Sequence, residues 1–251
     1  MKKALLIGIN YIGTDSQLNG CYNDIMDMKE WLLDHEYTIN ILTDSDNGVS
    51  PMPTRENIIA ACHDLVSGVS AGDKLYLHYS GHGSYVRDKS GDERDGADEA
   101  ICPLDSITGG SSKFIIDDEL YNILVKSLPA GVKLRVVFDS CHSGSCLDLP
   151  HRWLGSSYYT ENNNAPVADV VSISGCRDNQ TSADTVVAGK GNGALTRAFL
   201  AALRAEEAAG GTSSVTWKKF IENIQAKLTH YTQIPQLSSS RKSILDKEVD
   251  I

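Results

Sequence analysis

Arg135-Val-Val-Phe-Asp-Ser-Cys-His-Ser-Gly144 is a short apolar run that stops at an acid, a thiol and a small-residue turn. Such a run reads as a buried strand, and the turn residues after it cannot continue as strand. Asp139, Ser140 and Cys141 therefore stand at its carboxyl end, where open α/β sheets place their chemistry. Leu75-Tyr-Leu-His-Tyr-Ser-Gly-His-Gly83 repeats the design and leaves His82 at the end of its own strand. If the two strands are neighbours, a thiol and an imidazole meet on one sheet edge, as a cysteine hydrolase requires.

Working outward, Lys3 to Asn10 reads as strand one, and Asn19-Gly-Cys-Tyr-Asn-Asp24 opens a helix with Ile25, Met28, Trp31 and Leu32 on one face. Asn23 or Asp24 is its expected cap. Tyr37 to Leu42 is strand two, Pro53-Thr54 starts a second helix, and Lys74 to Ser80 is strand three. A long polar loop from Asp88 to Glu99 and a hairpin-like Thr108 to Phe114 follow; Asp117 and Asp118 then open a helix reaching Ser127. Lys133 to Asp139 is strand four, residues 142–168 read as an exposed linker, and Asp169 to Ser174 is strand five. Helices are expected over Ala194 to Ala208 and Trp217 to Thr229, with an edge strand at Pro235-Gln-Leu-Ser-Ser because of its proline. Strands alternating with helices predict an α/β fold: a mostly parallel central sheet of about six strands, with helices on both faces.

At 251 residues the chain fits one large domain with a core that needs no staple. Its six cysteines lack paired C-x-x-C spacing, which suggests reduced thiols and a cytoplasmic setting. The start Met-Lys-Lys-Ala-Leu-Leu-Ile-Gly-Ile-Asn imitates a signal peptide, but its apolar run is too short and no cleavage site follows. No stretch approaches the roughly 20 apolar residues of a membrane span. A net charge of −10 argues against nucleic-acid partners.

A Cys/His pair works because the thiolate is the nucleophile and the imidazole takes its proton. Cys141 and His82 each follow a strand and stand beside small residues; the backbone N–H groups of Gly83 and Cys141 could form an oxyanion hole. His142 is adjacent to the thiol, so its side chain points elsewhere, and His78 lies inside a strand as a core residue.

Tyr79-Ser-Gly-His-Gly83 and Asp139-Ser-Cys-His-Ser-Gly144, with Leu18-Asn-Gly-Cys-Tyr-Asn-Asp24 before them and Ser174-Gly-Cys-Arg-Asp-Asn-Gln-Thr-Ser-Ala-Asp184 after, resemble the metacaspases among the caspase-like cysteine peptidases. The resemblance spans nearly the whole chain. It implies a caspase-like fold with a p20-like part at 1–165 and a p10-like part at 166–251. It also implies cleavage of protein or peptide substrates after Arg or Lys, with Asp24 and Asp139 as pocket acids; paired carboxylates can hold a guanidinium by bidentate bonds. Asp24 as a simple helix cap stays open beside that role. Many metacaspases need calcium, and the matching acids are Asp98, Asp117, Asp118 and Asp148, a set suited to Ca²⁺. The alternative is that Asp117 and Asp118 merely start a helix and Asp98 belongs to a solvated run. A compact form without a long prodomain, acting as a monomer, is expected, with Arg152 and Lys190 as candidate self-cleavage positions. Two other readings are a caspase-like peptidase of different specificity and a catalytically idle, calcium-responsive interaction domain.

Overall fold

The computed structural model describes residues 1–87, 97–140, 147–154, 157–160, 165–175, 184–187, 190–210, 215–231 and 234–251. The chain begins with β1 (Lys2–Gly8), α1 (Cys21–Asp34), β2 (Thr38–Thr43), α2 (Arg55–Val66) and β3 (Lys74–Ser80). A small sheet follows: β4 (Gly83–Arg87), β5 (Ala97–Ile101), the short helix α3 (Ser106–Gly109) and β6 (Ile115–Ile116). Next come α4 (Asp117–Leu124), β7 (Lys133–Asp139), the hairpin β8 (His151–Leu154) and β9 (Ser157–Thr160), and β10 (Asp169–Ser174). A ribbon of β11 (Asp184–Val187) and β12 (Lys190–Gly193) leads into α5 (Ala194–Ala208), α6 (Trp217–Lys227) and β13 (Gln236–Ser239).

The main sheet has eight strands in the order β2-β1-β3-β7-β10-β13-β8-β9. From β2 to β10 the pairing is parallel, and beyond β10 it is antiparallel. Parallel pairing follows from helical crossovers, which return each strand in the same direction. This is the caspase-like α/β fold that the sequence predicts, with three corrections. The sheet has eight strands, not about six, because β8 and β9 lie inside the stretch read as an exposed linker. Pro235 does not mark an edge: β13 pairs with both β10 and β8. The proline precedes the first paired residue, so no ladder N–H is lost. The expected hairpin at Thr108 to Phe114 is instead α3 followed by a turn of 3₁₀ helix, Gly110–Lys113.

Strand parity sorts the two faces. Leu5, Ile7, Leu75, Leu77, Tyr79, Leu134, Val136 and Phe138 pack with α2 and α4, while Ala4, Leu6, Tyr76, Val137 and Ile173 pack with α1, α5 and α6. The same count puts His78, Ser80 and Asp139 on the α1/α5 face. Gly8 permits the close approach of α1 there: a Cβ would lie 2.7 Å from the Cys21 carbonyl oxygen and 2.8 Å from the Ile25 side chain. At the opposite end of the strands Arg135 is buried. It donates to Asp250 at 2.6 and 3.1 Å and to the Asp169 carbonyl at 2.8 Å, and lies 5.3 Å over the Trp217 ring. That cluster ties the C-terminal segment to the sheet.

Candidate active site

The two strands that end in the decisive motifs are neighbours: β3 and β7 pair in parallel, with Ser80 opposite Asp139. His82 therefore emerges beside the end of β7. Its backbone is held at both the N–H and the carbonyl. The His82 N–H donates to the Tyr11 hydroxyl at 3.0 Å, and its carbonyl accepts from the Tyr79 hydroxyl at 2.7 Å and the Cys102 N–H at 3.1 Å. The Tyr11 ring stands 4.7 Å from the imidazole, and the Tyr11 hydroxyl donates to the Cys102 carbonyl at 2.6 Å. Burial pushes both phenols well above their ordinary range, so they serve as neutral hydrogen-bonding groups. Tyr11 has φ +51°, a left-handed conformation that is costly for a bulky residue and that its buried contacts hold in place.

His82 Nε2 lies 2.7 Å from the Ser16 carbonyl oxygen. A carbonyl only accepts, so Nε2 carries the proton and, in the neutral ring, Nδ1 is the basic nitrogen. Tyr11 and Ser16 were not named from the sequence, and Tyr79 was given no role there. Tyr79 stands inside a motif, but Tyr11 and Ser16 belong to the loop after β1, which only the folded chain brings under His82. Gly83 opens β4 opposite Ile101. Cys141 lies outside the described residues, as does His142.

Asp24 and Asp139 converge on the same edge, at 0% and 4% exposure. Asp24 is not the cap of α1; Gly20 holds that position, and Asn10 Oδ1 accepts the Cys21 N–H at 3.0 Å. Its carboxylate instead accepts from the Ser80 hydroxyl at 2.7 Å and from the Gly193 N–H at 2.8 and 3.0 Å. Asp139 Oδ2 accepts the Thr196 N–H at 2.8 Å and the Thr196 hydroxyl at 2.7 Å. Buried carboxylates need such donors. Gly193 sits against both acids: a Cβ there would lie 2.7 Å from Asp139 Cγ and 2.8 Å from Asp24 Oδ2. The residues that lead into α5 thus pack against both acids, one from α1 and one from the end of β7.

Of the four acids expected to bind calcium, Asp117 is buried at the start of α4 and accepts from the Glu99 and Asp118 N–H groups, both at 2.8 Å. Burial first, and then the charge of Asp148, push its carboxyl up to about 8. Asp98 is buried on β5, and Asp118 follows Asp117 in the chain. Among the described residues no three acidic, histidine or cysteine side chains converge as an ion-holding group. What the fold brings together is a pair of carboxylates, Asp117 with Asp148, in which the charge of the second raises the first.

Residues 2–150 match the family model for the metacaspase, peptidase C14 domain. The chain belongs to the metacaspase family. Its domain is a cysteine-peptidase domain. Metacaspase-1 of Schizosaccharomyces pombe is 39% identical to it, over 95% of this chain and 67% of that protein. Metacaspase-1 of Cryptococcus neoformans var. neoformans is 38% identical, over 95% of this chain and 62% of that protein. The metacaspase chain described here thus spans about two thirds of the length of these relatives. A crystal structure of a Geobacter sulfurreducens protein superposes with a TM-score of 0.70 at 28% identity, covering 99% of this chain and 98% of that one. Among the described residues no helix is long and apolar enough to cross a membrane.

Proposed function

We propose that this metacaspase is a calcium-dependent endopeptidase cleaving peptide bonds after Arg or Lys. The observation that supports the specificity is the pairing of two buried carboxylates, Asp24 and Asp139, both against Gly193 at the end of the sheet that holds His82. A cationic side chain is what two paired acids recognise. In the reaction, Nδ1 of His82 takes the Cys141 thiol proton and the sulfur attacks the carbonyl of the Arg or Lys residue. The backbone N–H groups of Gly83 and Cys141 hold the oxyanion. Collapse expels the amine, which leaves with the proton from His82. Water, deprotonated by His82, then hydrolyses the thioester and restores the thiol. The Ser16 carbonyl steadies the imidazolium that forms at each stage.

Asp98, Asp117, Asp118 and Asp148 would hold the calcium ion, which when bound supplies positive charge that offsets the Asp117/Asp148 repulsion. Asp148 lies seven residues after Cys141, so holding it restrains the chain that leaves the nucleophile. The test is turnover of peptide amides ending in Arg, Lys and Asp, with Ca²⁺ and with a chelator. Arg and Lys substrates should be cleaved only with Ca²⁺, and Cys141→Ala should abolish cleavage in a folded protein. Turnover by Cys141→Ala sinks the peptidase assignment. Preference for the Asp substrate sinks the pocket, and indifference to the chelator removes the metal. An idle interaction domain would turn over none of the three substrates.

A further inference from the structure

Behind Asp139 lies a hydrogen-bonded row that the reaction above does not use. Thr196 Oγ1 is 2.7 Å from Asp139 Oδ2 and 3.1 Å from His78 Nε2, and His78 Nδ1 is 3.3 Å from the Tyr76 hydroxyl. His78 and Thr196 are fully buried, as is Tyr76. An ionised carboxylate only accepts, so the Thr196 hydroxyl donates to Asp139 and must accept from His78 Nε2–H. That fixes the tautomer: His78 Nδ1 accepts, and Tyr76 O–H donates to it. Burial pushes the His78 imidazole down to about 3, consistent with a neutral ring in this row.

The row runs in one direction, from Tyr76 through His78 and Thr196 to Asp139. Strand parity builds it: Tyr76 and His78 share one face of β3, and Asp139 ends the same face of β7. Thr196 is the third residue of α5, so its N–H lacks an intrahelical partner and also donates to Asp139 Oδ2. Two donors on one oxygen fix the carboxylate's rotation as well as its place.

We infer that Tyr76, His78 and Thr196 form a positioning relay that sets the plane of the Asp139 carboxylate and thereby favours Arg over Lys in the pocket. A guanidinium is planar with its N–H groups in fixed directions, so its approach to Asp139 Oδ1, the oxygen that Thr196 does not hold, depends on the carboxylate's rotation. An ammonium is a compact point charge with freely turning donors and depends on it far less. The relay rests on the proposed pocket role of Asp139, and its test separates the two.

Thr196→Val keeps the shape and the backbone N–H but removes the hydroxyl. Its kcat/KM should fall about tenfold for an Arg-ended amide, mainly through KM, and by threefold or less for the Lys counterpart. Thr196→Ser should restore the wild-type Arg/Lys ratio. A purely structural role would lower both substrates alike. If Thr196→Val does not fold, Tyr76→Phe gives the same readout from the far end of the row, with the ratio falling about threefold. An unchanged ratio in the folded variant overturns the relay. Asp139→Asn is the companion arm: loss of Arg and Lys cleavage there, with the ratio unmoved in Thr196→Val, refutes the relay and leaves the pocket standing. Undiminished cleavage by Asp139→Asn refutes the pocket, and the relay with it.

Discussion

Gly193→Ala is the sharpest perturbation of the Asp24/Asp139 pair. The backbone at Gly193 has φ −63° and ψ 138°, ordinary values for any residue, so the added methyl brings no conformational penalty of its own. The penalty is contact: the new Cβ would lie 2.7 Å from Asp139 Cγ and 2.8 Å from Asp24 Oδ2, against the 3.5–4.0 Å or so of ordinary carbon contacts. Relief requires Gly193 to move by about an ångström, which breaks the N–H bond it shares between the Asp24 oxygens at 2.8 and 3.0 Å. A hydrogen bond to a charged group contributes roughly 1.5–3 kcal/mol, and overpacking costs about 1–3 kcal/mol. A loss of about 3 kcal/mol in recognition corresponds to roughly a hundredfold in kcat/KM for an Arg-ended peptide amide. Alkylation of Cys141 by iodoacetamide, which needs no pocket, should proceed at the wild-type rate. The assay pairs the two measurements with a thermal unfolding curve. Wild-type kcat/KM, within threefold, in a folded Gly193→Ala protein would refute the placement of both acids in the substrate pocket.

Asp117→Asn removes a buried carboxyl that burial and Asp148 push up to about 8; the metal-free protein should gain thermal stability at neutral pH, and added Ca²⁺ should raise its Tm less than it raises that of the wild type, as read by calorimetry. Arg135→Ala leaves Asp250 to Lys133, takes the donor from the Asp169 carbonyl and the cation from the Trp217 ring, and should destabilise the fold by about 2–3 kcal/mol in urea unfolding. A loss below about 1 kcal/mol would show that the C-terminal anchor carries no weight. For pH, the His78 imidazole is depressed by burial to about 3 in the folded state from an ordinary 6.5. The unfolded chain therefore binds the extra proton first: this contribution to stability is intact above pH 6.5 and is lost as pH falls from there toward 3. At pH 4 it amounts to at most about 3 kcal/mol. His78→Gln should show a flatter stability profile across that range, and an identical slope would contradict the buried neutral ring.

The strand endings were legible because two local signals coincide at each: an apolar run, then a glycine or small-residue turn. The helix α1 followed from the 3.6-residue spacing of its apolar residues. The β8–β9 hairpin escaped because Gly155-Ser-Ser157 and the polar residues after it resemble a loop in composition; only pairing with β13 makes strands of them. Strand propensity depends on the neighbour, and that neighbour lies some 80 residues further along the chain. Asp24 misled for a related reason. An acid in the first turn of a helix is a local cap signal, whereas its actual partners, Ser80 and Gly193, are distant in sequence.

For the motif Arg135 to Gly144, the sequence by itself determined the strand, its end and the chemical types set there, because those depend on nearest neighbours along the chain. Parity even placed Asp139 on one face of the sheet. That the face is shared with Thr196 and His78, that Gly193 lies against both acids, and that Ser16 turns the His82 ring were decided only by tertiary structure. Each of those contacts joins segments that no local pattern links, and each exists because α5 and the loop after β1 pack against the sheet edge.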